Sequence, residues 1–128
     1  MDKDFDRWNI YKKKLHNRDR HILCKPGAVW WCALGLNIGH EQDGDHKSFE
    51  RPVLIIQVFG NDTCLCVPLT TTSLRNSFCK RIILSGEERY AITSQLRTIS
   101  LKRMLREIGP ISHDDFKSLQ ISIQNVIL

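Results

Sequence analysis

Apolar positions recur at two different periods along this chain, and the switch between them sets out its elements. Near the start, Phe5, Trp8, Tyr11 or Lys12, and Leu15 recur at helical spacing behind Asp2 and Asp4, which predicts an amphipathic helix over residues 3–16. Asn17 to Lys25 is a polar link, ended by Pro26-Gly27. Short runs rich in β-formers follow: 28–34, 52–59, 63–67, 78–84 and 90–95. Gly60-Asn61-Asp62 and Ser85-Gly86-Glu87-Glu88 carry turn chemistry between them. Ser100 to Arg106 reads as a short helix broken by Gly109-Pro110. Ser112-x-x-Asp115 is a capping box opening a last helix, with Phe116, Leu119, Ile123 and Val126 or Ile127 as its stripe.

Five short strands with helices at the ends predict a small barrel of α+β class. With 128 residues and no internal repeat, one domain is expected over 1–128, residues 1–25 being a helical extension and 26–128 the barrel with its C-terminal helix. Trp30 and Trp31 must face opposite sides of the first strand. One fills the core; the other needs cover, from the N-terminal helix or a second subunit.

A composition of 41% hydrophobic and 26% charged residues argues for a packed fold and against disorder. No apolar run approaches the roughly 20 residues of a spanning helix. The start, MDKDFDRWNIYKKK, lacks the apolar segment of a secretory signal, so no membrane association and a cytoplasmic location are expected. The five cysteines fit that compartment as small core residues. Their spacing, Cys64-Leu-Cys66 included, does not suit zinc, and neither a metal nor another cofactor is expected.

The net charge of +5 is unevenly spread. Residues 1–25 carry eight Lys/Arg and four Asp/Glu, a net of +4, whereas residues 26–128 carry eleven and ten, a net of +1. Any polyanion bound by the body must be held by a few placed groups. Lys12-Lys13-Lys14 is either a solvated helix face or a phosphate or partner contact.

Polar groups cluster at strand boundaries. Arg51 opens the second strand, and Thr70 follows the third, which hairpin pairing makes antiparallel to it. Arg51 and Thr70 should therefore be neighbours. His40, Glu41 and Gln42 sit on the loop of about Gly35 to Glu50 that enters the same end, and a loop this long is usually functional or mobile. No Ser-His-Asp pattern, G-x-S-x-G or Gly-rich phosphate loop is present. A guanidinium, a hydroxyl and proton carriers are enough for metal-free RNA cleavage, in which a 2′-hydroxyl attacks the neighbouring phosphorus. Taken alone, an arginine capping a strand is more often structural, and a threonine after Pro-Leu more often still.

The order of four motifs changes that balance. K-P-G-A-V-W-W, then N-I-G-H-E-Q-D-G…R-P-V-L-I-I, then V-P-L-T-T, then A-I-T-S-Q-L-R-T-I resembles the MazF/PemK family of toxin–antitoxin ribonucleases, over roughly Lys25 to Ile111. The resemblance implies an SH3-like barrel that forms a homodimer. It implies cleavage of single-stranded RNA to 2′,3′-cyclic phosphate and 5′-hydroxyl ends without metal, inhibition by a cognate antitoxin, and DNA binding together with that antitoxin. By the same resemblance Arg51 is the catalytic arginine, Thr70 the phosphate-binding threonine, and His40 a site histidine used by some members. Glu41 and Gln42 follow in the same loop motif. Ser94, Gln95 and Arg97 belong to an RNA-binding segment. Ser94 stands where some members use an aspartate base, so Glu41, His40 or substrate-assisted transfer stay open for that role. Two other classes stay open as well: a catalytically weak barrel acting by protein binding, as gyrase inhibitors do, and a peptide-binding SH3-like adaptor, which the shortage of aromatics beyond Trp30 and Trp31 disfavours.

Overall fold

The computed structural model describes residues 2–19, 22–73 and 78–127. The elements in order are α1 (Phe5–His16), β1 (Ala28–Ala33), β2 (Glu50–Phe59), β3 (Thr63–Thr70), β4 (Cys79–Leu84), β5 (Glu87–Ile92), β6 (Arg97–Ser100), β7 (Met104–Pro110) and α2 (His113–Ile127). Single 3-10 turns at Thr93–Gln95 and Leu101–Arg103 flank β6. Of the expected polar link, Arg20 and His21 lie outside the described residues.

Every strand pair is antiparallel, in the order β4-β5-β3-β2-β1-β7, with β6 added to β3. β3 is the pivot. Along one edge it pairs with β2; along the other, Thr63–Cys66 pairs with β6 while Leu69 and Thr70 pair with β5. One strand with two partners in succession curls the sheet into a small barrel-like α+β fold, as the alternation of strands and terminal helices predicts.

β2 shows why its sequence reads as an unbroken apolar run. Val53 and Ile55 enter one core cluster with Trp30, Cys32, Cys64, Cys66 and Met104. Leu54 enters a second cluster with Val29, Val67, Leu69, Ala91, Leu119 and Ile123. A strand covered on both faces has no position for solvent-facing polar residues. The second cover is α2, whose stripe Phe116, Leu119 and Ile123 packs there, while Ile127 is exposed. Ser112 Oγ accepts the Asp115 N–H at 3.1 Å, as the capping box requires. The Asp115 carboxylate does not fold back. It accepts the Ile83 N–H at 2.9 Å and ties α2 to β4.

Three expectations are corrected. Among the described residues the barrel has seven strands, not five. Ser100 to Arg106 is not a helix: it ends β6, passes through a 3-10 turn and begins β7. Leu, Lys, Arg and Met are good helix formers, but pairing with β1 overrides propensity, placing Cys32 opposite Met104 and Trp31 opposite Arg106. The β4–β5 turn is two residues, Ser85 and Gly86, both at positive φ (51° and 82°), a hairpin geometry that glycine accepts readily.

α1 lies on the barrel through Trp8 and Leu15, which join Ala33, Leu36 and Phe49 in a third cluster. The Trp8 and Phe49 ring centroids are 5.2 Å apart. Gly35 (φ +77°) permits this approach, since a Cβ there would stand 2.1 Å from the Trp8 ring. Asp4 caps the helix by accepting the Arg7 N–H at 3.0 Å. Trp30 is buried in the first cluster, whereas Trp31 lies outside the cluster that α1 joins. It is half-buried, with the Arg106 guanidinium 5.2 Å from its ring. Among the described residues no helix is long and apolar enough to cross a membrane.

Candidate functional site

The β2–β3 register sets Val53 opposite Pro68. Continued by two residues, it brings Arg51 level with Thr70. Both line one open groove of about 520 Å³. Its floor and walls include Trp31 from β1, Glu50 and Pro52 from β2, Ser85 from the β4–β5 turn, Glu87 and Arg89 from β5, and Ile108 from β7.

The Arg51 fork is held by backbone. Nε donates to the Asp43 carbonyl at 2.5 Å and Nη1 to the Leu69 carbonyl at 3.1 Å. A guanidinium carries five N–H donors, so three are without a protein partner among the described residues. Burial lowers the Arg51 pKa from its ordinary value, against the pull of the Asp43 carboxylate. Thr70 Oγ1 accepts the Thr72 N–H at 3.3 Å, which leaves its own hydroxyl proton to donate. A planar cation with two fixed donors and a hydroxyl with a free proton together suit an anionic oxygen.

Glu50 was not singled out from the sequence. It adjoins Arg51, and neighbouring strand residues are expected on opposite faces. Yet both line the groove. The Arg106 fork grips Glu50 with Nη1–Oε1 and Nη2–Oε2 both at 3.1 Å, and this hydrogen bonding raises the Arg106 pKa. Trp31, Glu87 and Arg89 were equally unforeseen as groove residues; only the surplus tryptophan left a trace in the sequence.

The loop between β1 and β2 is stitched rather than loose. Asp43 Oδ1 accepts the Asn37 N–H at 2.6 Å, and Asn37 Nδ2 donates to the Leu34 and Gln42 carbonyls. Asp45 Oδ1 accepts the Lys47 and Ser48 amides at 2.7 and 3.1 Å, and the two bonds hold its pKa below the usual carboxylate value. Gly44 passes so close to the chain that a Cβ would sit 1.9 Å from the Phe49 carbonyl oxygen. α1 fastens the loop from outside. Lys3 Nζ lies 2.8 Å from Asp43 Oδ2 and donates to the Asn37 carbonyl at 2.5 Å, and Arg7 Nη2 donates to the His46 carbonyl. Burial by itself raises the Asp43 pKa, but hydrogen bonds from Lys3, the Asn37 amide and His46 outweigh it and leave it lowered. Since the Asp43 carbonyl holds Arg51, a bonded path runs from Lys3 to the groove.

The other sequence-named residues are not brought to the groove. His40 is exposed, and its carbonyl accepts from Gln95 Nε2 at 3.4 Å. Glu41 borders a different hollow, against Phe5, Trp8 and Lys12 of α1. Gln42 contributes a carbonyl within the loop. Ser94 is exposed on its 3-10 turn, and Arg97 is half-buried on β6, opposite Cys66 of β3. Among the described residues no three His, Cys, Asp or Glu side chains could hold a metal ion together.

Residues 25–127 match the family described as PemK-like, MazF-like toxin of type II toxin–antitoxin system. Solved structures share the fold at low identity. The MazF of Deinococcus radiodurans superposes with a TM-score of 0.69 at 17% identity, covering 83% of this chain and 97% of that one. An endoribonuclease from a mycobacterial species, solved with its cognate antitoxin, gives 0.61 at 17%, covering 82% and 95%. A MazE–MazF complex of Deinococcus radiodurans gives 0.62 at 13%, covering 83% and 96%. No curated protein matches the chain.

Proposed function

Because the chain belongs to the family of PemK-like, MazF-like toxins of type II toxin–antitoxin systems, we propose that it is an endoribonuclease that cleaves single-stranded RNA by internal transfer, without a metal ion. The observation that carries this is the groove that Arg51 and Thr70 line together, where three N–H donors of the arginine have no partner among the described residues. The scissile phosphate sits against those donors and the Thr70 hydroxyl. Glu50 takes the proton of the neighbouring 2′-hydroxyl. The 2′-oxygen–phosphorus bond forms, the phosphorus–5′-oxygen bond breaks, and the leaving oxygen takes a proton from solvent at the open mouth. Arg51 and Thr70 hold the extra negative charge of the phosphorane. The products are a 2′,3′-cyclic phosphate and a 5′-hydroxyl.

Glu50 is preferred to His40 and Glu41 as base because it lines the same groove as Arg51 and they do not. Arg106 aims its carboxylate. Ser94, Gln95, Arg97 and Gln42 then meet RNA outside the reacting centre.

The partners follow from the same reading: a homodimer, and a cognate antitoxin whose acidic tail blocks the groove. Light scattering at micromolar concentration reads the first. The activity is tested on a defined RNA in EDTA with wild type, Arg51→Ala and Thr70→Ala, the ends being identified by mass spectrometry. Cyclic-phosphate ends from wild type and their loss in both variants are expected. Equal cleavage by all three discards the site.

A further inference from the structure

The charge excess of this chain lies on residues 1–25, almost all of them before the family match at 25–127. α1 uses one face, Trp8 and Leu15, to sit on the barrel. A neighbouring face is turned to a second groove. Arg7, Tyr11 and Lys14 recur at i, i+4 and i+7, and with Lys47, Phe49 and Glu50 they line a hollow of about 400 Å³. Glu50 borders this hollow and the Arg51 groove alike, so the two are neighbours.

The lining combines cations with aromatic rings. The Arg7 guanidinium lies 4.5 Å from the centroid of Phe49, where its bond to the His46 carbonyl pins it. The Tyr11 and Phe49 rings are 5.8 Å apart. Lys14 and Lys47 are exposed, and neither ammonium makes a hydrogen bond or ion pair among the described residues. Asp45, the acid nearest Lys47 in sequence, is committed to two backbone amides. Glu50 is ion-paired with the Arg106 fork. Arg7 and Lys14 are about 10.5 Å apart along the helix axis, at 1.5 Å per residue. That spans roughly three stacked nucleotides at 3.4 Å each. Phe49 is buried, so the rings only floor the hollow; the cations spaced along its rim suit the phosphate backbone of a single strand, the electrostatic part of such binding.

We propose that this second groove is an RNA-binding extension: the strand whose scissile phosphate lies at Arg51 continues past Glu50 and along α1, its phosphates meeting Arg7, Lys14 and Lys47. The proposal rests on the endoribonuclease reading and adds a binding segment carried by residues before the family match.

The test is the double variant Lys14→Gln/Lys47→Gln, both positions being exposed and outside the cores. Fluorescence anisotropy measures binding of two labelled 2′-O-methyl oligoribonucleotides over a range of salt concentrations. One is short, about four nucleotides, and one long enough to fill both grooves, about twelve. Expected for the variant on the long strand is a loss on the order of tenfold, with a log–log salt slope shallower by about 1.4 for two phosphate contacts. Affinity for the short strand should match wild type. Unchanged affinity and slope on the long strand overturn the extension. So does a variant that keeps RNA binding and loses an acidic peptide such as oligoglutamate, which assigns the groove to a protein partner. No RNA binding by the wild type overturns it together with the nuclease reading. Cleavage assays separate the two: wild type that binds the long strand through these lysines but leaves an unmodified RNA intact sinks the nuclease reading alone.

Discussion

The strand-borne wall of the groove and the loop beside it are fixed by different means. Arg51 and Thr70 come together through the β2–β3 register, a hairpin relation between residues close in sequence. The loop carrying His40, Glu41 and Gln42 is placed by Lys3, Arg7 and Trp8, residues some 30 or more positions away. A register error would move every strand side chain to the wrong face, so the strand wall is strongly specified. The loop depends on a handful of long-range bonds that hydrophobic pattern does not encode. On the proposed reading the strand wall supplies the reacting groups, and the loop with α1 aims and extends them.

Substitutions that separate the two regions sharpen this contrast. Arg51→Ala removes the proposed phosphorane donor and should lower kcat/KM by about 10²–10³-fold, the usual cost of losing one placed donor. Arg51→Lys should recover little, because a point charge cannot keep the Asp43 and Leu69 carbonyls while presenting a fork. Glu50→Gln should lower kcat by about 10²-fold in RNA cleavage kinetics. His40→Ala and Glu41→Gln should each stay within about tenfold of wild type. Equal or larger losses from the loop pair would reverse the assignment of the base.

α1 is tested by stability. Trp8→Ala empties the ring from its seat on Gly35 and Phe49 and should cost about 3–5 kcal/mol in chemical denaturation. A negligible loss would mean that the helix is not part of the folded unit. Lys3→Met should reduce kcat by about fivefold with KM unchanged, by loosening the Asp43 carbonyl that orients Arg51. Lys3→Arg should restore it, and the Arg51 Nε–H resonance should lose exchange protection only in the methionine variant.

The smallest expected effect is in acid. The folded Asp43 carboxyl lies below its unfolded value, so its stabilisation is complete above that value, about pH 4, and is lost as pH falls through the lower folded pKa. The stability difference between wild type and Asp43→Asn should thus be flat near neutrality and shrink below about pH 4. A difference that grows in acid would contradict the bonding described for Asp43.

What could be read from the sequence follows the same division. The β1, β2 and β3 runs, the Gly60-Asn61-Asp62 turn, the Ser112 cap and the proximity of Arg51 and Thr70 are local or hairpin features, legible in period and turn chemistry. β7 was hidden because Leu101 to Arg106 has helical propensity, and only pairing with β1 makes its second half a strand. Glu50 was hidden because it reads as the last residue of the polar loop, whereas β2 begins there. The link from Lys3 through Asp43 to Arg51 had no sequence signal, since it joins a helix N-terminus to a loop 40 residues on.

The central claim is that the two strand ends grip one phosphate. A crystal structure of the protein with an oligoribonucleotide carrying a 2′-deoxy nucleotide at the cleaved position reads this directly. The account predicts that the phosphate after the modified sugar lies within hydrogen-bond distance of an Arg51 Nη atom and Thr70 Oγ1, with Glu50 facing the 2′ position. A strand bound elsewhere, with Arg51 still bonded only to the Asp43 and Leu69 carbonyls, would contradict it.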